Sequence, residues 1–318
     1  MRVLMFGRGV IATIYGQALE SAGHDVEFYV RPGRAAEYGK TVRLDLIDAR
    51  HSPLGRRISR TVPVKIRESV EQEDGFDLVI LSVAHHQLAS AAAYLAPRVG
   101  NATVLILGNM WEEPLAAVAP LPPAQVVFGF PQAGGGFGTD GILHGAVFRT
   151  VIIEADNGKS KQRHAAVQNA FRQAGFTIRR QRDMRGWLLL HFVADAGMHA
   201  QGVHHRGLAG LIGNRRGLRE ALLTTRELLP ILRARGIDLS HHRRALLPFR
   251  FPVPTAAAMA WATAHLPIAQ VSLSAHTDPD AAEARAVLRD TLHEAQRLGV
   301  HAHRLEESLG APAKSADI

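Results

Sequence analysis

The chain reads as an α/β protein: a Rossmann-type doubly wound parallel sheet over residues 1–182, then an all-α region over 183–310. Three observations predict this. A glycine-rich turn follows a short apolar run within the first dozen residues. Short apolar runs then alternate with helical stretches, as in a sheet whose parallel strands are joined by helices. From about Asp183 the strand pattern stops and helical periodicity takes over.

The first strand is 2–6, and Gly7-Arg8-Gly9-Val10-Ile11-Ala12 follows at once, opening a helix to about residue 22. This G-x-G-x-x-A order predicts a phosphate-binding βα turn. Gly7 permits the tight turn, Gly9 lets the backbone approach a pyrophosphate, and Ala12 is small enough for helix and strand to pack closely. The helix start adds free N–H groups and the positive end of its dipole. Val10 and Ile11 complete the expected cofactor contacts. A second strand, 25–30, ends in Arg31-Pro32-Gly33-Arg34. An NAD site has an acidic residue about 20 positions beyond the glycines, for the ribose 2′-hydroxyl. Arg31 stands there instead, and a guanidinium suits the 2′-phosphate of NADP, with Arg34 and Arg8 as helpers. The competing account makes these arginines ordinary surface residues of an Arg-rich chain.

Further strands are predicted at 42–46, 77–82, 103–107 and 125–129, with helices near 85–95 and 111–118. An extended stretch, 145–155, precedes a helix over 160–174 and a strand over 177–180. In the second region, 187–201 is apolar nearly all round and predicts a buried helix. Helices at 215–235, 254–265 and 279–298 follow. The last has Thr277 or Asp278 as N-cap, Pro279 in its first turn and Gly299 at its stop. The segment 205–214 reads as a loop or broken helix, and 311–318 as a disordered tail.

At 318 residues the chain has room for two domains with separate cores. Its apolar share of 47% and charged share of 21% are globular. No apolar run nears the roughly 20 residues that span a bilayer. The sequence starts directly in the first strand, which leaves no room for a signal peptide. The absence of cysteine rules out disulfides, thiolate catalysis and Cys-based zinc sites, and no metal site is expected. These features point to the cytoplasm. The net charge of +8 comes from scattered arginines without a nucleic-acid motif, so neither nucleic acid nor membrane is an expected partner. A small anionic substrate fits that charge better.

Several clusters could carry chemistry. Ser82-Val83-Ala84-His85-His86-Gln87 follows the strand 77–82, and Asn109-Met110-Trp111 follows 103–107. Both lie at strand C-termini, where open α/β sheets bind ligands. Ser82, Val83, Gln87, Asn109 and Met110 are therefore expected at the cofactor, although Asn109 could simply cap a turn. Gly134-Gly135-Gly136 allows close approach to a ligand or a flexible hairpin, and sequence does not separate the two. His191, Asp195 and His199 fall at i, i+4 and i+8 on the apolar helix. Burying three such groups is costly unless they pair or face a cavity. Their spread of about 12 Å along the axis argues against one shared metal. Glu283 has Ala286 and Val287 at i+3 and i+4, so a routine helical ion pair is not available to it. The doublets His85-His86, His204-His205 and His241-His242 read as exposed.

These residues together resemble the ketopantoate reductase (2-dehydropantoate 2-reductase) family. Gly7 to Ala12, then Gly23-His24-Asp25-Val26 to Arg31, look like its N-terminal signature. Asn109 matches a family asparagine, though Asn109-Met110-Trp111 replaces the usual Asn-Gly-Met-Gly. Gln87 matches a glutamine of the second cofactor loop, where Ala84 replaces a common lysine. Glu283 falls at the substrate-binding glutamate. The catalytic lysine, which follows a Trp on the first helix of the C-terminal domain, is absent. Anchoring on Trp187 puts Leu189 there. A shift of two puts His191 there and lays Asp195 and His199 on the family's two downstream asparagines.

The resemblance implies an NADPH-dependent oxidoreductase that reduces a C=O or C=N substrate other than ketopantoate, in a cleft between the domains. His191, Asn109, Asp195 and Glu283 form the expected catalytic set, His199 and Ser272 the substrate contacts, and a homodimer the expected assembly. The alternatives are a dinucleotide-binding sensor or scaffold without redox chemistry, and a non-redox enzyme that reuses the cleft.

Overall fold

The computed structural model describes residues 1–156, 158, 160–274 and 282–310. The chain divides into two compact units, Met1–Met184 and Arg185–Ile318. The strands of the first unit are β1 (Arg2–Phe6), β2 (Asp25–Tyr29), β3 (Thr41–Asp48), β4 (Arg56–Pro63), β5 (Ile66–Arg67), β6 (Leu78–Leu81), β7 (Thr103–Leu107), β8 (Val126–Phe130), β9 (Ala133–Phe137), β10 (Ile142–Val147), β11 (Thr150–Glu154) and β12 (Thr177–Gln181). Its helices are α1 (Val10–Ser21), α2 (Ala35–Tyr38), α3 (Leu88–Leu95), α4 (Pro114–Ala117) and α5 (Lys161–Gln173).

Eight strands form one sheet in the order β12-β11-β8-β7-β6-β1-β2-β5, and only the β11–β8 step is antiparallel. β6 and β7 are buried at every position, as expected where both faces of a parallel sheet are covered. From β1 the order runs one way to β2 and the other way to β6. The C-terminal ends of β1 and β6 thus form the topological switch point, where open sheets of this kind bind ligands.

Four other strands form a second sheet, β4-β3-β10-β9. This corrects the expected place of 42–46, which lies here rather than in the parallel sheet. The strand alternates, with Val42, Leu44 and Leu46 buried between more open residues. Only one of its faces meets the core. That core is shared: Val3 and Met5 of β1, Ile14 and Tyr15 of α1, Leu44 of β3 and Leu143 of β10 belong to one apolar cluster. Helix α1 packs hard on the parallel sheet at Gly16, where a Cβ would lie 2.6 Å from the Phe28 ring. Ala12, one turn earlier, is buried in the same core. Three smaller differences follow. The stretch 145–155 splits between β10 and β11, 111–118 keeps only the single turn α4, and 85–95 begins as a 3₁₀ turn.

In the second unit, α6 (Met184–His204), α7 (Arg215–Ala234), α8 (Leu247–Arg250), α9 (Pro252–His265), α10 (Pro267–Ser274), α11 (Ala282–Arg297) and α12 (His303–Gly310) follow one another without a strand among the described residues. Asn214 caps α7, accepting a hydrogen bond from the Gly217 N–H at 2.9 Å. Helices α6 and α7 touch at Gly197, where a Cβ would lie 2.6 Å from the Ala221 carbonyl. Only glycine fits that crossing. The segment 205–214 holds a 3₁₀ turn, Leu208–Leu211. His242 is 4% exposed, which corrects its expected place on the surface, whereas His241 is open. The capping residues Thr277, Asp278 and Pro279 and the tail 311–318 lie outside the described residues. No helix among the described residues is long and apolar enough to cross a membrane.

Candidate functional site: the glycine turn and the helix after Trp187

Strand β1 delivers the chain into a turn that only glycine accepts at its first position. Gly7 has φ +101°, and its N–H donates to the Tyr29 carbonyl at 2.9 Å. This bond ties the turn to the end of β2. Gly9 is the N-cap of α1 with extended backbone, and its carbonyl accepts from the Thr13 N–H at 2.9 Å. A Cβ built on Gly7 or Gly9 would meet nothing within 4 Å. The space in front of the turn is open, and α1 begins behind it without an acidic residue in its first turn. A free helix N-terminus facing open space fits a phosphate group. Val10 and Ile11 are half-buried and Ala12 is 1% exposed.

Arg8 projects from this turn between two rings. Its guanidinium lies 5.0 Å from the Tyr38 ring and 5.5 Å from the Phe137 ring. Its Nε is buried with no hydrogen-bond partner among the described residues. Burial lowers the guanidinium pKa from its ordinary value, opposed by Tyr38. Sequence reasoning missed Tyr38 and Phe137. Phe137 ends a glycine run that carries no strand propensity, and Tyr38 lies on a helix of one turn.

The second edge of the switch point follows β6. The Ser82 hydroxyl is buried without a partner among the described residues, Val83 is half-buried, and Gln87 is exposed as the N-cap of α3. The next loop lies against it, since a Cβ on Gly108 would come 3.3 Å from the Val83 carbonyl. Asn109 is half-buried in that loop. Met110 is buried, at 1% exposure. At the end of β2, Arg31 is exposed, whereas Arg34 pairs with Glu37 at 2.5 Å.

Gly134, Gly135 and Gly136 belong to β9, paired with β10. A Cβ on Gly135 would lie 2.5 Å from the His144 carbonyl and 3.2 Å from Val10. The bare backbone at Gly135 is thus required by packing within the β9–β10 pair. It lets the second sheet close on the start of α1.

In the second unit, α6 is not buried all round. Phe192, Val193, Ala196 and Ala200 are at 0% exposure, while His191, Asp195 and His199 form a half-open stripe. His191 Nδ1 lies 3.4 Å from Asp195 Oδ2. The carboxylate one turn on holds the imidazole in one orientation. Leu189 is 1% exposed and faces the core, so His191 is the residue of the two that can meet a substrate. Glu283 is exposed in the first turn of α11. The Ser272 hydroxyl donates to the Ile268 carbonyl at 2.9 Å, which leaves only its acceptor side for a ligand. No group of three His, Cys, Asp or Glu among the described residues could hold a metal ion.

Residues 3–157 match the family model described as ketopantoate reductase PanE/ApbA. No curated protein matches the chain. Among solved structures, the fold is similar to that of 2-dehydropantoate 2-reductase from Geobacter metallireducens GS-15, with TM-score 0.65 and 19% identity over 96% of this chain and 97% of that one. D-mandelate dehydrogenase with NADH and anilino(oxo)acetate gives 0.66 and 15%, over 97% and 96%. The dimeric ketopantoate reductase from Staphylococcus aureus gives 0.63 and 15%, over 97% and 96%.

Proposed function

Because residues 3–157 match the ketopantoate reductase family model, we propose that the chain is an NADPH-dependent oxidoreductase of that kind, reducing a C=O or C=N substrate other than ketopantoate. The observation that carries this is the open glycine turn at the switch point, where neither Gly7 nor Gly9 has an atom in front of it within 4 Å. The turn amides and the start of α1 would hold the pyrophosphate, and Arg31 the 2′-phosphate. Ser82, Val83, Gln87, Asn109 and Met110 would line the second edge. A bound nicotinamide dinucleotide supplies the hydride.

Reduction of a carbonyl also needs a proton at the oxygen. His191 is the donor in this proposal and Asp195 its orienting partner, at 3.4 Å. Asn109 positions the substrate, and Glu283, His199 and Ser272 bind its polar groups. A positioned proton donor contributes roughly 100- to 10,000-fold. His191→Ala is therefore expected to lower turnover by that range while the dissociation constant for NADPH stays within twofold of wild type, on the order of measurement error. The check is NADPH oxidation over a panel of 2-oxo acids, ketones and imines, beside a fluorescence titration. Wild-type turnover that survives His191→Ala would sink the assignment.

One observation favours a dinucleotide-binding protein without redox chemistry: α6 carries no lysine. NADPH binding without turnover on any panel member supports that alternative. The dimeric Staphylococcus aureus structure supports a homodimer. A chain free of cysteine suits the reducing cytoplasm.

A further inference from the structure

The loop after β2 already holds an anion of its own. Strand β5 pairs with β2 at Phe28–Ile66 and Tyr29–Arg67. Glu68, the next residue, therefore stands level with Val30, one position short of Arg31. The Ala35 N–H donates to Glu68 Oε1 at 2.6 Å. Hydrogen bonding by the loop backbone, that of Ala35 foremost, holds the pKa of this carboxyl below the ordinary range, while the Arg34 N–H donates to the Arg31 carbonyl at 3.1 Å. Gly33 has φ +80°, which turns the loop back on itself and brings the Ala35 amide to Glu68. Glu37 engages the Arg34 guanidinium in the same loop. Of the two arginines in this loop, Arg34 is thus already paired, and the Ala35 amide is already taken by a carboxylate.

We infer that Glu68 is a specificity-determining residue for the cofactor, a built-in carboxylate that competes with the 2′-phosphate for the Ala35 amide beside Arg31 and narrows the preference for NADPH over NADH. The inference rests on the proposed function, because it needs the adenosine end of a dinucleotide at Arg31. A 2′-phosphate arriving there meets the charge of Glu68 and finds the Ala35 donor engaged. NADH brings only a hydroxyl and is not affected. A like charge set against a ligand acts mainly on selectivity.

The experiment is a titration of wild type and Glu68→Gln with NADPH, NADH, 2′-phosphoadenosine 5′-phosphate and 5′-AMP, with thermal melts beside it. Glu68→Gln keeps the side-chain shape and an acceptor for one amide. It is expected to tighten NADPH and the 2′-phosphorylated fragment about tenfold, and to leave NADH and AMP within about twofold. Wild type is expected to bind NADPH and NADH within about tenfold of each other. That measurement holds even if the variant does not fold. A Glu68→Gln ratio equal to that of wild type, or a wild-type preference for NADPH above about 100-fold, overturns the role of Glu68 alone. Wild type binding neither dinucleotide overturns the proposed function and this inference with it.

Discussion

Two glycine-rich segments of the first unit have opposite surroundings. At Gly7-Arg8-Gly9 a Cβ on either glycine would meet nothing within 4 Å. At Gly135, in the run Gly134-Gly135-Gly136, the space is filled. Gly135 faces Gly145 across the antiparallel pair, and a Cβ on Gly145 would lie 2.7 Å from the Gly134 carbonyl. The first segment keeps room for something outside the chain, and the second spends its room on the chain itself. Composition cannot tell them apart, because both simply lack side chains. The difference lies in what stands opposite, which is a matter of tertiary structure. The two also meet, since Gly135 closes on Val10 at the start of α1, and Phe137 covers Arg8. The packed segment is the wall against which the open one is set.

The largest effect is expected where the space is filled. In Gly135→Val the new Cβ would have the His144 carbonyl at 2.5 Å and the Gly145 Cα at 2.9 Å. Both are backbone atoms, so no rotamer relieves the clash. Overpacking of this kind costs about 3 kcal/mol or more. For a unit the size of Met1–Met184 that is a fall in melting temperature of roughly 6–12 °C. An unchanged melting temperature would show that β9 can part from β10, and the contrast between the segments would break.

Gly9→Ala tests the open side. Gly9 has φ −73° and ψ −177°, extended backbone that alanine adopts without strain. As an N-cap, alanine is poorer than glycine, so stability should fall by no more than about 1 kcal/mol. Dinucleotide affinity should fall about tenfold or more, because the methyl group enters the space of the pyrophosphate. Loss of binding in a chain that still melts normally would sharpen the contrast. Equal binding by wild type and Gly9→Ala would mean that the open space is not the cofactor cradle.

The same contrast explains what the sequence made legible. β1, β6 and β7 are continuous apolar runs because both faces of the sheet are covered, and a turn with two glycines after the first of them has few other uses. β4 offers no such signal. Arg56 to Pro63 is exposed or half-exposed at every position, and the strand is held by its backbone register to β3 and by Arg57 on Asp45 at 2.7 Å. β9 is legible only through its partner, since three glycines have no strand propensity of their own. The alternation of Val42, Leu44 and Leu46 was itself a signal of a one-faced sheet, distinct from the unbroken runs around it. In the second unit the spacing of His191, Asp195 and His199 predicted their common face. It did not reveal that this face is half-open, which depends on what packs beside α6. Glu68 escaped notice because its partner is a backbone amide more than 30 positions away.

The smallest effect concerns a group of the first unit that touches neither segment, which makes it a control on the contrast. His164 is 3% exposed and joins α5 to β11, with Nε2 3.3 Å from Glu154 Oε1 and Nδ1 3.9 Å from Asp156 Oδ1. The Glu154 carboxylate, more than any other neighbour, raises the pKa of the ring against the opposing effect of burial. A raised value means that the folded chain binds the proton more tightly than the unfolded chain, whose histidine titrates near 6.5. The stabilisation is therefore complete below about pH 6.5 and is lost as pH rises through the folded value. The melting temperature of wild type should fall more steeply than that of His164→Gln between about pH 6 and pH 8, and affinity for the dinucleotide should fall in neither protein beyond what its own unfolding explains. Parallel melting curves would mean that His164 is neutral in the folded chain. A pH-dependent loss of binding confined to wild type would mean that the α5–β11 contact reaches the glycine turn, and that openness there depends on more than the wall built by β9.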